Sequence, residues 1–358
     1  MKNGHPHNQG PRLVAWEVTR SCNLNCVHCR ASSDRGPYPN ELDTKKCMEI
    51  LGQIAAEGKP IVILTGGEPL LREDIFDLAR YGTNLGLRMV LATNGTLMTP
   101  RIVEAMKDSG IKRVSISLDG PNAEEHDAFR KVPGAYDGAL KGIELLREGG
   151  VEFQVNTTVT RHNIGHIHEM LDLAISLGAA AHHIFLLVPT GRARDMLDQE
   201  IDAREYEKVL HWFYNKGKEV PIHLKATCAP HYYRILRQEA HRRGEKVDFE
   251  TYGLDAVTRG CLGGTAFCFI GHDGVVQPCG YLEINCGDLS VSSFEDVWRN
   301  SDVFKKLRDF SEYKGKCGRC EFLRVCGGCR ARAYEATGDF MAEEPLCLYQ
   351  PARESNHG

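Results

Sequence analysis

No stretch of this chain stays apolar for the ~18 residues that a helix needs to cross a bilayer, so no transmembrane segment is expected. Met1 to Pro11 is polar and rich in His, Gly and Pro. It lacks the apolar core of a secretory signal, which places the chain in the cytoplasm. Basic residues are not in excess: 44 Lys and Arg stand against 48 Asp and Glu, a net charge of −4. A general nucleic-acid binder would present a basic face, so that class is set aside. Tryptophan is scarce, at three residues, and no low-complexity tract or internal repeat beyond a βα unit is present. No CxxCH occurs, which excludes covalently attached haem.

Cysteine is abundant, with 14 in 358 residues. A reducing cytoplasm does not support a disulfide scaffold. The thiols therefore point to metal or redox chemistry, and their spacing must decide which. Nine of the 14 fall in the last 98 residues, a Gly-rich segment short of long apolar elements. That is the composition of a small domain held together by metal.

Residues 12 to about 200 alternate short apolar runs with helical periodicity. Strands are expected at Leu13–Val18, Ile61–Thr65, Arg88–Thr93, Arg113–Leu118, Phe153–Val159 and His183–Val188. Helical patterns at Lys45–Glu57, Ile75–Leu85, Arg101–Asp108, Tyr136–Glu148 and Ile167–Leu177 separate them. This alternation predicts an α/β fold with a parallel sheet, first as a partial (β/α)6 barrel and second as a doubly wound sheet. A helical bridging region is expected over 201–255 and a Cys-rich domain over 256–350. Within the latter, Asp273-Gly274 inside Phe267–Tyr281 reads as a β-hairpin.

The first strand runs into Cys22-x3-Cys26-x2-Cys29. Three thiolates in one tight loop can hold a 4Fe–4S cluster with one iron left open to a small molecule. Zinc prefers paired CxxC ligands and a closed set of four. In this loop, together with the motifs that follow the next strands, the sequence resembles the radical S-adenosylmethionine (SAM) enzymes. Those motifs are Gly66-Gly67-Glu68-Pro69, Thr93-Asn94-Gly95 and Ser115-x-Ser117-Leu118-Asp119-Gly120, then His126-Asp127 and Arg130. All follow carboxyl ends of strands, where barrel active sites are built. The resemblance covers residues 12 to 195. It implies that Cys22, Cys26 and Cys29 hold the cluster that SAM chelates. It implies that Gly66, Gly67, Glu68, Asn94, Ser117, Asp119 and Arg130 bind SAM, with Arg130 facing its carboxylate and the two glycines letting backbone approach it. A reduced cluster would then split SAM into methionine and a 5′-deoxyadenosyl radical that takes hydrogen from an unactivated C–H bond.

The C-terminal cysteines read Cys261-x12-Gly274-x4-Cys279, then Cys317-x2-Cys320-x5-Cys326-x2-Cys329, then Cys347, with Cys268 between the first two. The pattern resembles the SPASM domain of many radical SAM enzymes, with x2 in the last short gap where x3 is common. The resemblance implies two auxiliary 4Fe–4S clusters, or at least one. One would use Cys261, Cys268, Cys279 and Cys329; the other Cys317, Cys320, Cys326 and Cys347. A four-thiolate zinc site on Cys317, Cys320, Cys326 and Cys329 stays open as an alternative. Cys47 reads as a core residue, and Cys228 and Cys286 as structural or spare thiols.

Gly280 stands where sulfatase maturases carry an Asp, which counts against that activity. About 20 residues precede Cys22, too few for a winged-helix leader-binding domain. Arg12–Arg20, Val188–Ala193 and Thr227–Arg234 resemble the haem-biosynthesis branch, in particular the haem b synthases of the siroheme-dependent pathway. That resemblance implies an iron-porphyrin substrate, iron-coproporphyrin III. Two propionates would be oxidatively decarboxylated to vinyls, with an auxiliary cluster as electron acceptor and a flavodoxin or ferredoxin as donor. Competing readings are a sister enzyme acting on didecarboxysiroheme or a haem d1 precursor, a SPASM-type peptide maturase, and a non-enzymatic electron carrier. Candidate anchors for the substrate carboxylates are Arg192, Arg194, Lys225 and Arg234. His231, beside Tyr232 and Tyr233, is a candidate iron ligand. His182 and His183 could face the pocket, and His162, His166 and His168 read as solvated.

Overall fold

The computed structural model describes residues 10–352, so most of the polar stretch at the start of the chain lies outside the described residues. Seven strands follow one another in a parallel run: β1 (Leu13–Thr19), β2 (Ile61–Gly66), β3 (Arg88–Thr93), β4 (Val114–Ser117), β5 (Phe153–Val159), β6 (Ala181–Leu186) and β7 (His223–Thr227). The crossovers carry α1 (Thr44–Glu57), α2 (Ile75–Asn84), α3 (Pro100–Asp108), α4 (Ala123–Arg130), α5 (Ala135–Glu148), α6 (Ile167–Ser176) and α7 (Ala203–Lys216). After β7 comes α8 (His231–Arg242). This is the mixed α/β architecture with a parallel sheet that the alternation predicts.

Three differences have physical causes. The 201–255 segment is not only helical. His223–Thr227 pairs with β6, and a polar pattern with His, Lys and Thr hid it as a strand. The sixth strand begins at Ala181 rather than His183, because it takes its register from Gln154 opposite Ala181. His182 and His183 therefore lie within the strand. Finally, the C-terminal region does not stand apart from the barrel sheet. The hairpin β8 (Phe267–Ile270) and β9 (Val275–Gln277) turns at Gly274, at φ +88°. Strand β8 then lies parallel to β1, with Val14 opposite Cys268. With β10 (Gly287–Asp288), the sheet order is β10-β9-β8-β1-β2-β3-β4-β5-β6-β7.

Strand β1 is thus hydrogen-bonded on both edges, to β2 and to β8. Its alternation sends Val14, Trp16 and Val18 into a core shared with Ile50, Ile54, Leu64 and Leu78. That core continues into Phe294, Trp298, Phe304 and Leu307 of the C-terminal region. A second core gathers β6 and β7 against α7 and α8, through Ile184, Leu210, Phe213, Leu224 and Leu236. The residues alternating with these form the opposite face of the sheet. One register row of that face runs Ser117, Asn156, His183, Lys225 across β4 to β7. Each of these four side chains is only partly buried, whereas Ile116, Val155 and Ile184 beside them are fully buried.

Leu64 in β2 has no exposed surface. Leu64→Ala is expected to lower unfolding free energy by about 2–5 kcal/mol through lost burial and the cavity left behind. Anaerobic urea denaturation should show a lower midpoint at unchanged slope.

Candidate active site

A register shift between Glu17 and Thr19 ends β1 and releases the chain into the cysteine loop. Glu17 is fully buried there. Arg30 Nη2 lies 2.7 Å from it, Arg20 Nε 2.9 Å and His272 Nδ1 3.0 Å. Burial alone would raise this carboxyl, but Arg30, His272 and Arg20 outweigh it and hold Glu17 at about 2. The partners of Glu17 come from three places: the exit of β1, the residue after Cys29, and the turn after β8. Arg30 also lies over the Phe269 ring, 4.2 Å from its centroid. A Cβ at Gly280 would stand 3.1 Å from Arg30 Nε, so the small residue after Cys279 makes room for that guanidinium.

The glycines of the second motif join the loop to the sheet. A Cβ on Gly66 would lie 2.3 Å from the Thr19 carbonyl oxygen, and one on Gly67 2.4 Å from that of Ser21. The Gly67 and Glu68 N–H groups donate to those same carbonyls, both at 2.8 Å. The glycines are needed to zip this turn to the entry of the cysteine loop. Glu68 is completely buried and accepts from Thr93 Oγ1 (2.7 Å), Asn94 N (2.8 Å) and Leu70 N (3.0 Å). Burial raises its pKa despite these donors. Its carboxylate staples the ends of β2 and β3 together. Asn94 donates to Asn23 inside the cysteine loop at 2.9 Å.

Asp119 closes β4, accepts from Thr158 N at 2.7 Å and pairs with Arg130. Arg130 Nη1 donates in turn to Cys26 Sγ at 3.4 Å, and its Nε has no partner among the described residues. The Arg130 and Phe129 carbonyls accept from Asn25 and Val27, so the end of α4 pins the loop. Ser117 lies on the inner register row with Asn156.

The three loop thiols share one environment. Cys22 accepts from Leu24 N, Cys26 from Arg130 and Cys29 from Ser33 N, each at 3.4 Å. N–H groups aimed at sulfur favour thiolate over thiol. Burial pushes the Cys22 thiol up to about 12, so loading such a site with metal would release protons. The C-terminal thiols show the same signature. Cys317 accepts from Glu344 N at 3.4 Å and Arg330 Nη2 at 3.6 Å, Cys326 from Gly328 N at 3.4 Å, and Cys329 from Arg332 N at 3.5 Å. By contrast Cys47 and Cys286 donate their S–H to the carbonyls of Leu42 and Ile284, as inert thiols do.

Cys317, Cys320, Cys326 and Cys347 line a single cavity together with His231, Arg234, Lys316 and Glu344. These are the four thiols that the resemblance to SPASM domains groups. Among the described residues no three His, Cys, Asp or Glu side chains are placed to hold one metal ion. Around zinc, thiolate sulfurs at ~2.3 Å from the metal would crowd within ~4 Å of one another. The thiols here surround a shared cavity instead, which suits a multi-iron cluster. Cys279 and Cys329 pack in another group. Cys268 does not join them. It is fully buried in the main core on β8, beside Cys286, and its assignment to that set is corrected.

The expected substrate residues also move. His231 is fully buried, neither ring nitrogen has a hydrogen-bond partner among the described residues, and it lines the cavity of the four C-terminal thiols. Arg234 lines the same cavity and pairs with Glu207 at 2.6 Å. Arg192 clamps the cysteine loop, through Nε to the Cys26 carbonyl (2.8 Å) and Nη1 to that of Ser33 (2.9 Å). Arg194 pairs at the surface with Glu335 and Glu283. Lys225 alone of the four anchors sits on the inner row, level with His183. Sequence reading missed Glu17 and Glu344, because an isolated Glu carries no motif. Glu344 is fully buried and binds the Cys329 N–H at 2.6 Å and Arg332 at 3.3 Å.

Comparison with known proteins fits this geometry. Residues 16–174 match the radical SAM superfamily, and residues 261–321 match SPASM, an iron–sulfur cluster-binding domain. The chain belongs to the radical SAM enzymes with a SPASM-type domain, whose cofactors are SAM, a 4Fe–4S cluster in the barrel and auxiliary iron–sulfur clusters in the C-terminal domain. Within that class it is 54% identical to the AdoMet-dependent heme synthase of Nitratidesulfovibrio vulgaris, covering 98% of both chains. It is 28% identical to the Fe-coproporphyrin III synthase of Methanosarcina barkeri, over 94% of this chain and 87% of that one. The solved structure of Streptococcus suis SuiB bound to S-adenosylmethionine shares the fold. Its TM-score is 0.73 at 20% identity, covering 96% of this chain and 79% of that one. No helix among the described residues is long and apolar enough to cross a membrane.

Removing the Glu17 charge leaves Arg30 buried without its counter-ion. Glu17→Gln is expected to cost about 3–5 kcal/mol, the usual penalty for breaking a buried pair from one side. Anaerobic denaturation measures it, and Arg20→Gln, whose side chain is one-third exposed, should cost less than about 1 kcal/mol.

Proposed function

We propose that the protein is a cytoplasmic radical SAM haem synthase that oxidatively decarboxylates two propionates of iron-coproporphyrin III to vinyls, giving haem b. The observation that carries this reading is the 54% identity, over nearly the whole of both chains, to a protein named AdoMet-dependent heme synthase. The sister reading rests on roughly half that identity.

On this reading Cys22, Cys26 and Cys29 hold the cluster that SAM chelates, and Arg130, Asp119, Ser117 and Asn94 border the SAM site. Gly66, Gly67 and Glu68 set the position of the loop. Bound cluster and SAM supply hydrogen-atom abstraction from an unactivated C–H bond. The chain's own residues orient and shield. Arg192, Arg130 and the Gly67 turn fix the loop from three sides, so the thiols meet their load without rearrangement. The inner row Ser117, Asn156, His183, Lys225 offers the substrate a polar surface with one cation for a propionate. The electron donor is a small iron–sulfur or flavin protein such as a ferredoxin or flavodoxin. For each propionate, one hydrogen atom would pass from the β-carbon to the 5′-deoxyadenosyl group, CO2 would leave as the Cα–carboxylate bond breaks, and one electron would go to an auxiliary cluster held by the C-terminal thiols. The product is the vinyl group.

Reconstituted protein incubated anaerobically with dithionite, SAM and iron-coproporphyrin III should yield haem b through a monovinyl intermediate. Two CO2 should be released per haem. Turnover of didecarboxysiroheme with none of iron-coproporphyrin III would overturn the reading. Cys22→Ala should abolish 5′-deoxyadenosine; persistence of that product would sink the assignment of the loop thiols.

A further inference from the structure

With Cys268 in the main core, the set Cys261, Cys279 and Cys329 lacks a fourth thiol. The structure supplies one from the barrel. Cys228 follows β7 and packs in the same apolar group as Cys279 and Cys329. Cys261 is brought to it by a close backbone contact. A Cβ on Gly260 would stand 2.5 Å from Pro230 Cα, so only glycine lets the two segments touch. The Cys228 carbonyl is held by Tyr206 Oη at 3.1 Å and by both Nη atoms of Arg332 at 3.4 Å. Arg332 belongs to the helix Arg330–Thr337, which starts immediately after Cys329. Cys228 also sits at φ +55°, a left-handed conformation unusual for a residue with a side chain. Strain of that kind persists where surrounding contacts hold it, and it clusters at functional positions. Unlike Cys47 and Cys286, Cys228 donates its thiol to no carbonyl among the described residues. The neighbours that act electrostatically on its thiol are Cys329, Cys279, Arg332 and Cys261.

We infer that Cys228, at the end of the seventh barrel strand, is the fourth thiolate of the Cys261, Cys279 and Cys329 set. The inference rests on that set holding an auxiliary cluster. It closes the set at four thiolates and ties the cluster to the strand whose inner face carries Lys225. Four protein ligands leave no iron open to substrate, which suits electron transfer.

The test uses full-length, anaerobically reconstituted protein in which Cys22, Cys26 and Cys29 are all Ala, so that remaining iron is auxiliary. This background should hold about eight irons per chain, two clusters of four. Adding Cys228→Ala should open one corner. Mild oxidation should then produce the EPR signal of a three-iron cluster at ~1 spin per chain, against less than ~0.1 in the background. Cys228→Gly, which relieves the backbone strain while removing the thiol, should give the same signal. Cys268→Ala should give none and keep about eight irons. The assignment of Cys228 is overturned if both Cys228 variants retain the background spectrum, or if Cys268→Ala alone produces the three-iron signal. A background holding only about four irons would overturn the two-cluster reading beneath it.

Discussion

A carboxylate buried at the end of the first strand constrains everything around it. Glu17 cannot be charged in a protein interior unless partners reach it: the cations Arg20 and Arg30 come from the cysteine loop and the His272 ring from the C-terminal hairpin. Arg30 must therefore sit between Cys29 and the chain after Cys279, and Gly280 must be small. Because β1 is also hydrogen-bonded to both β2 and β8, the radical-SAM loop and the C-terminal region are referenced to one strand. A buried ion pair of this kind contributes little net stability against an apolar alternative, but it penalises every arrangement that separates its members. Here that penalty fixes the position of a thiol loop relative to the C-terminal thiols.

The environment of each sulfur then sorts the cysteines. Thiols that accept N–H groups occur in the two motif clusters, while Cys47 and Cys286 donate to carbonyls. Buried cations do not follow that division, since Arg72 lies near Cys47 and Arg308 near Cys286 as well. Arg130 meets Cys26, Arg330 meets Cys317, and Arg332 lies beside Cys329. Hydrogen bonds and positive charge near cluster sulfurs stabilise the reduced state. Glu344 links the two C-terminal sets, with its N–H on Cys317 and its carboxylate on the N–H of Cys329.

The parallel sheet and the first thiol loop were legible because each depends on local spacing, whereas the grouping of Cys347 with Cys317, Cys320 and Cys326 came from the resemblance to SPASM domains. Apolar runs mark strands, and short gaps hold sulfurs near one another. What was not legible depends on contacts between distant segments. Cys268 has the right place in the motif, yet strand pairing with Val14 carries it into the core. Cys228 has no motif, yet the close approach of Gly260 to Pro230 brings its segment to the thiol set. Arg192, Arg234 and Arg194 have the chemistry of carboxylate anchors, but Arg192 holds loop carbonyls and the other two pair with glutamates. Seventh strand β7 was hidden by polar residues that face the inner side of the sheet.

The central claim is that this scaffold directs hydrogen abstraction to a porphyrin propionate. Its most direct test is iron-coproporphyrin III deuterated at the propionate β-carbons, turned over anaerobically with unlabelled SAM. The account predicts deuterium in the 5′-deoxyadenosine, read by mass spectrometry, in step with vinyl formation. Vinyl formation accompanied by unlabelled 5′-deoxyadenosine would contradict it.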